Sequence, residues 1–157
     1  MTERLKAGVL GGLAGGVVMG ILMTMMQAPT PDGGTMPMMG MVAMIVGSTS
    51  LVAGWAYHLF NSAVIGGLFG LVLGAGADQG TGAAVGRGTL YGLAWWVLGG
   101  LILMPLFLDM PAFAPLRMPP MRMTAMASLV GHLVFGAILG FAYARLRARR
   151  MAIAAGG

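Results

Sequence analysis

The sequence predicts an all-α membrane protein with four transmembrane helices. Of its 157 residues, 58% are hydrophobic and 8% are charged, and the mean hydropathy is +0.88. A soluble domain carries about a quarter of its residues as charged side chains, so this chain cannot cover a surface that faces water. Residues 7–26, 88–108 and 123–144 carry no charge, and each stretch is long enough to cross a hydrocarbon core about 30 Å thick.

The positions of lysine and arginine set the number of spans. The uncharged run 33–77 is too long for one helix. With four spans, both termini lie on one side of the membrane, together with seven of the nine basic residues: Arg4, Lys6, Arg87, Arg145, Arg147, Arg149 and Arg150. A fifth span would translocate the arginine-rich C-terminal segment, against the positive-inside rule. We therefore expect a bacterial inner-membrane protein with both termini in the cytoplasm.

The predicted spans lie at about 5–27, 50–75, 86–108 and 123–146, within one domain of residues 1–157. The first span is glycine-rich and long for a signal peptide, so it is interpreted as retained. Residues 36–48 follow the proline-broken segment "APTPDGG". They are predicted to form a short interfacial helix at the outer face of the membrane.

An internal repeat links the two halves of the chain. Residues 12–22, "GLAGGVVMGIL", match residues 92–102, "GLAWWVLGGLI", at an offset of 80. A second match at an offset of 74 pairs His58, Leu59, Ala63 and Gly66 with His132, Leu133, Ala137 and Gly140. The repeat predicts a duplicated helical hairpin with the two histidines at similar depth in spans two and four.

Glycine recurs at every fourth position in the predicted helices. The first span carries this stripe at Gly8, Gly12, Gly16 and Gly20, and the stripes of spans two and four begin at His58 and His132. Small residues at this spacing let membrane helices approach closely. Both histidines are therefore expected to face protein rather than lipid.

The glycine-rich segments "GLAGGVVMGILMTMM" and "GTLYGLAWWVLGGLILMPL", together with the two histidine helices, resemble a domain-of-unknown-function family. Its members are small four-span bacterial inner-membrane proteins. The resemblance implies the four-span architecture and the paired histidines, and it does not imply an activity.

His58 and His132 are the candidate cofactor-binding residues, because an ionisable side chain within a membrane is a functional hypothesis by default. They are candidates to share a metal ion or a haem between spans two and four. Two other interpretations remain open. Each imidazole forms a structural hydrogen bond with Asn61, Ser62 or a backbone carbonyl, or the pair relays protons.

Methionine is concentrated on the predicted outer side of the membrane. Within the interfacial segment, Met36, Met38, Met39 and Met41 are candidate ligands for Cu(I), which soft thioethers select. The alternative is that methionine serves there as a flexible apolar filler on a surface that contacts a partner or lipid.

No pattern typical of an enzyme is present in the sequence. Cysteine is absent, the basic residues do not form a nucleic-acid-binding patch with interleaved aromatics, and "GAGADQGTG" lacks the lysine of a phosphate-binding loop. The leading hypothesis is a non-enzymatic packing or accessory subunit of a homo-oligomer or a larger inner-membrane complex. Its partners are the bilayer and other membrane subunits, and a cofactor is not required.

Overall fold

The computed structural model describes residues 1–30 and 32–156 and is helical throughout most of its length. Four helices are long and apolar enough to cross a membrane: Thr2–Met25, Leu51–Val72, Thr81–Phe107 and Pro119–Ala152. The prediction of an all-helical chain with four such helices is confirmed. The third helix is longer by several residues at its start than the sequence predicted.

Short elements connect the four long helices. Helix α1 (Thr2–Met25) leads through strands β1 (Gln27–Pro29) and β2 (Thr35–Pro37) into α2 (Met38–Ile45). Helix α3 (Leu51–Val72) is followed by α4 (Gly74–Ala77), and span three consists of α5 (Thr81–Trp95), a π-helical segment (Trp96–Leu103) and α6 (Met104–Phe107). The chain ends with α7 (Ala114–Arg117), a 3₁₀ turn (Pro119–Met121) and α8 (Arg122–Gly156).

The long helices pack in the spatial order α3, α1, α8, α5. Helix α1 packs against both α3 and α8, and α5 packs against α8. Tyr91 bridges α5 and α3, because its hydroxyl donates a hydrogen bond to the Ile65 carbonyl at 2.9 Å and its ring lies 5.5 Å from that of Phe69. The seam between α3 and span three is therefore closed at Tyr91.

Glycine contacts hold the helices together, as the sequence predicted. A methyl group added at Gly12 would lie 2.8 Å from the Cα of Gly66, and one at Gly15 would lie 2.7 Å from the Phe135 carbonyl oxygen. Helix α1 thus uses one glycine face against α3 and a second face against α8. Backbones in such close approach gain van der Waals contact, which replaces the hydrophobic driving force that is missing in lipid.

A polar cluster joins the helices at the end of the bundle that carries both termini. The Asp78 carboxylate accepts hydrogen bonds from Arg4 Nε at 2.9 Å, from Arg147 Nε at 3.0 Å and from the Tyr143 hydroxyl at 3.1 Å. Burial alone would raise the pKa of Asp78, but hydrogen bonds from Arg147, Arg4 and Tyr143 hold this pKa below its ordinary value. The cluster ties α1 and α8 to the connection between spans two and three.

The opposite end of the bundle carries a two-stranded antiparallel hairpin, which we call the hairpin end. Strand β1 pairs with β2 so that Ala28 lies opposite Met36, an element that the sequence did not predict. Helix α2 lies within the segment 36–48, for which the sequence predicted an interfacial helix. Its residues 38–43 are all buried, and it contacts α3 and α1. Its location at a membrane interface stays a prediction.

Proline alters the backbone hydrogen bonds of span three. Pro105 has no N–H group, so it cannot bond to the Leu101 carbonyl as residue i−4. The backbone N–H of Phe113 donates to this carbonyl instead, at 2.7 Å. The returning loop therefore satisfies a polar group that would be costly to leave unpaired in a membrane.

Candidate functional site

The candidate site is a cavity of about 250 Å³ between α3 and span three, which we call the histidine cavity. Its polar lining includes Tyr57, His58, Asn61, Ser62, Ser128 and His132. The remaining lining is mainly apolar and includes methionine side chains of α1, valine and isoleucine side chains of α2 and α3, and Trp95. Both histidines that the sequence singled out therefore line one cavity.

His58 is held by the backbone of the neighbouring helix. Its Nε2 lies 2.9 Å from the Gly16 carbonyl oxygen, and a carbonyl only accepts, so the ring proton sits on Nε2. The tautomer leaves Nδ1 as an acceptor on the other edge of the ring. The Ser62 hydroxyl donates to the His58 carbonyl at 2.7 Å, and only 9% of the His58 surface is exposed.

His132 is held by its own helix. Its Nδ1 donates to the Ser128 carbonyl oxygen at 2.8 Å, which assigns the proton to Nδ1 and leaves Nε2 as the acceptor. A methyl group added at Gly100 would lie 3.7 Å from its Cε1. The ring is half-buried because it lines the cavity rather than packing completely against other side chains.

The two helix pairs, α1–α3 and α5–α8, pack one helical turn out of register. A methyl group on Gly12 would lie 2.8 Å from Gly66, whereas one on Gly92 would lie 3.1 Å from the His132 carbonyl carbon and 3.3 Å from Gly136. With this shift, Gly92 of span three lies opposite His132, whereas Gly16 of α1 lies opposite His58. His132 nevertheless donates to the Ser128 carbonyl of its own helix.

The helices that carry the histidines are not direct neighbours in the bundle, since α1 packs against both α3 and α8. Each ring forms a hydrogen bond to a backbone carbonyl, one of the alternatives that the sequence left open. Across residues 1–30 and 32–156, no three His, Asp or Glu side chains gather as ligands for a metal ion. A haem or metal shared by His58 and His132 stays a prediction. It would be bound through Nδ1 of His58 and Nε2 of His132, unless the hydrogen bond from His58 Nε2 to the Gly16 carbonyl is broken.

The four candidate copper ligands are divided among three environments. Met38 and Met41 line a second, smaller cavity. Met39 is fully buried, with its backbone against Gly54 of α3, and Met36 lies half-buried on β2. The structure therefore does not bring all four together at one cavity, and copper binding by this set stays a prediction.

Ser128 and Trp95 line the histidine cavity, and the sequence reasoning did not assign either to a site. A signal for Ser128 exists in its spacing, because a residue four positions before His132 lies on the same helix face. For Trp95 no such signal exists, since its position depends on how span three packs against α8.

Comparison with protein-family models, with curated proteins and with solved structures finds no match to this chain. The resemblance to a family of small four-span membrane proteins therefore stays a prediction.

Proposed function

We propose that this chain is a membrane protein that binds a small membrane-soluble molecule carrying a hydroxyl group. The observation that carries the proposal is that His58 and His132 line one cavity among apolar side chains. Apolar cavities with a few convergent polar groups are the usual form of a small-molecule site. Each neutral ring has its N–H engaged by a carbonyl, so each offers a lone pair to a hydroxyl donor.

The route into the histidine cavity supports a ligand that arrives through the bilayer. Three of the residues that line the cavity, Val64, Leu103 and Phe107, have 46%, 37% and 61% of their surfaces exposed. They lie on α3 and span three, the two helices that leave a seam. Small-molecule sites measure about 300–1,000 Å³, so a cavity of about 250 Å³ suits a single ring or a short chain.

Binding of decylhydroquinone to the purified protein in lipid nanodiscs tests the proposal. We expect saturable binding that changes the tryptophan fluorescence, because Trp95 lines the cavity. Decylbenzene, which has the same apolar body and no hydroxyl, should bind more weakly. A His132→Leu variant should weaken binding of the hydroquinone by about fivefold, the equivalent of one neutral hydrogen bond.

Phe60→Leu is the matched control variant, because Phe60 lies on α3 with 63% of its surface exposed and does not line the cavity. It should bind decylhydroquinone as the wild type does. Equal affinity for the hydroquinone and the benzene, or unchanged affinity in the His132→Leu variant, would contradict the proposal.

The second candidate function is a packing or accessory subunit of a homo-oligomer or a larger complex. The supporting observation is that span three is the least covered of the four, with 17% of its apolar window buried against 44% for the first span. Gly82 and Gly86 on α5 have no neighbouring atoms within 4 Å of an added methyl group. Native mass spectrometry from mild detergent tests this candidate, and a stable monomer without a partner would contradict it.

We also propose that the chain lies in a bacterial inner membrane, with both termini in the cytoplasm and with α2 at the outer interface. The basic residues that accompany the termini support this orientation through the positive-inside rule. Cysteines introduced at Thr81 and Ala112 test it by labelling of intact cells with an impermeant reagent. We expect labelling at position 112 and protection at position 81, and the reverse pattern would invert the orientation.

We further propose that the chain arose by duplication of a helical hairpin. The paired sequence matches support this origin, and so does the use of glycine contacts in both the α1–α3 and the α5–α8 pairs. The one-turn difference in register between the two pairs is then a divergence that followed duplication.

A further inference from the structure

Five methionine side chains from three separate segments surround one small void at the hairpin end of the bundle. Met38 and Met41 come from α2, Met104 and Met110 from the end of span three and its following loop, and Met121 from the 3₁₀ turn before α8. The volume of this space, which we call the methionine void, is about 30 Å³. Met38, Met41 and Met121 are buried, with 3%, 8% and 6% of their surfaces exposed.

We propose that the methionine void binds one soft monovalent cation, Cu(I), through methionine thioethers. Thioether sulfur selects Cu(I) over harder ions. The residues that line the void include no histidine and no acid; its only side-chain oxygens are the hydroxyls of Thr124 and Ser128, so it lacks the carboxylates by which proteins bind Mg²⁺ and Ca²⁺. A set of neutral ligands also favours a monovalent cation over a divalent one, because the cost of burying an ion without a counter-charge rises with the charge of the ion.

The size and aromatic lining of the methionine void agree with this ligand. A cavity needs about 10–15 Å³ to hold one water molecule, so a void of about 30 Å³ accommodates one ion. Trp96 also lines the void, and its Nε1 donates to the Ala125 carbonyl at 3.2 Å. A cation beside an indole gains electrostatic attraction from the ring, and the indole reports on its arrival.

The proposed site is distinct from the histidine cavity and does not rest on the function proposed for it. Met41, Met110 and Met121 line the methionine void alone, whereas Met38 and Met104 line both spaces. The three unshared methionines therefore allow the cation site to be altered while the histidine cavity keeps its lining.

The site also differs from the methionine set expected from the sequence. Met36 and Met39 belong to that set but do not line the void. Leucine replaces methionine at similar volume and removes only the sulfur. A Met36→Leu/Met39→Leu variant is thus a matched control for a Met41→Leu/Met110→Leu/Met121→Leu variant, since both change methionines at the same end of the bundle.

Equilibrium dialysis of the protein in nanodiscs, followed by elemental analysis, measures the binding of Cu(I) under anaerobic reducing conditions. Ag(I) in chloride-free buffer serves as an air-stable probe of the same softness. We expect the wild type and the control variant to bind one ion per chain with the same affinity. The triple variant should bind about thirtyfold more weakly, because three of the five thioethers are lost at about threefold each. The fluorescence change from Trp96 should disappear with it.

Circular dichroism establishes that the triple variant keeps its helices. If it does not fold, the single variants Met41→Leu and Met121→Leu replace it, each with an expected loss of about threefold in affinity from one missing sulfur ligand. Three outcomes overturn the proposal: a wild type that binds neither ion stoichiometrically, void variants that bind as the wild type does, or a control variant that weakens binding as much as they do.

Discussion

Replacement of Asp78 by alanine should destabilise the folded bundle by about 3 kcal/mol. The carboxylate accepts hydrogen bonds from Arg147 through both Nε and Nη2, at 3.0 and 3.3 Å, and from the Tyr143 hydroxyl at 3.1 Å. The side chains of Asp78 and Arg147 are only 15% and 16% exposed. Removal of one partner from a buried ion pair costs about 3–5 kcal/mol, and the partial exposure of this pair favours the lower end. Arg4 adds little, because it is 38% exposed and exposed pairs are weak.

Unfolding by SDS, followed by tryptophan fluorescence and circular dichroism in mixed micelles, measures this loss. Glu3→Gln is the matched control, because Glu3 pairs with Lys6 and Arg150 through side chains that are 42%, 61% and 65% exposed. The control should lose little stability, because exposed ion pairs are weak. A loss in Asp78→Ala no larger than that of the control would refute the reasoning.

The same carboxylate predicts a dependence of stability on pH. The pKa of Asp78 in the folded protein lies below its ordinary value of 3.8, since the hydrogen bonds from Arg147, Arg4 and Tyr143 outweigh the effect of burial. A group with a lowered pKa stabilises the folded state fully above its unfolded-state pKa, and this stabilisation is lost as pH falls through the folded-state pKa. Wild-type stability should therefore decline on acidification below about pH 4, and Asp78→Ala should lack this component of the decline.

Two further predictions use the same unfolding assay. Gly66→Ala should cost about 1–3 kcal/mol, the range for overpacking, because the added methyl group would overlap the backbone of α1. Gly82→Ala is the control, because it has open space around it, and it should be neutral or slightly stabilising. Equal effects of the two substitutions would show that the contact between Gly66 and α1 is loose. His58→Ala should cost about 1 kcal/mol, the scale of a hydrogen bond between membrane helices, and His132→Ala should cost less, since its hydrogen bond lies within its own helix. A larger loss for His132→Ala would contradict the assignment of partners.

The four long helices and their contact faces were predictable because both depend on short-range patterns. A charge-free stretch of about 20 residues and a glycine at every fourth position are visible without any knowledge of neighbouring segments. The β-hairpin was missed because three-residue strands are too short to show an alternating pattern. The burial of α2 was missed as well, since a methionine-rich helix suits a membrane interface and a protein core equally.

The sequence by itself predicted the four helices that are long and apolar enough to cross a membrane, and it predicted that His58 and His132 face protein. Only the tertiary structure decided that the two rings line one cavity, which ring nitrogen each keeps free, and which methionines surround one void. The partners involved are far apart in the chain: His58 bonds to a carbonyl 42 residues away, and Asp78 to arginines 74 and 69 residues away. Such pairings depend on the register between packed helices, and a shift of one helical turn is enough to give two similar sequence segments different partners.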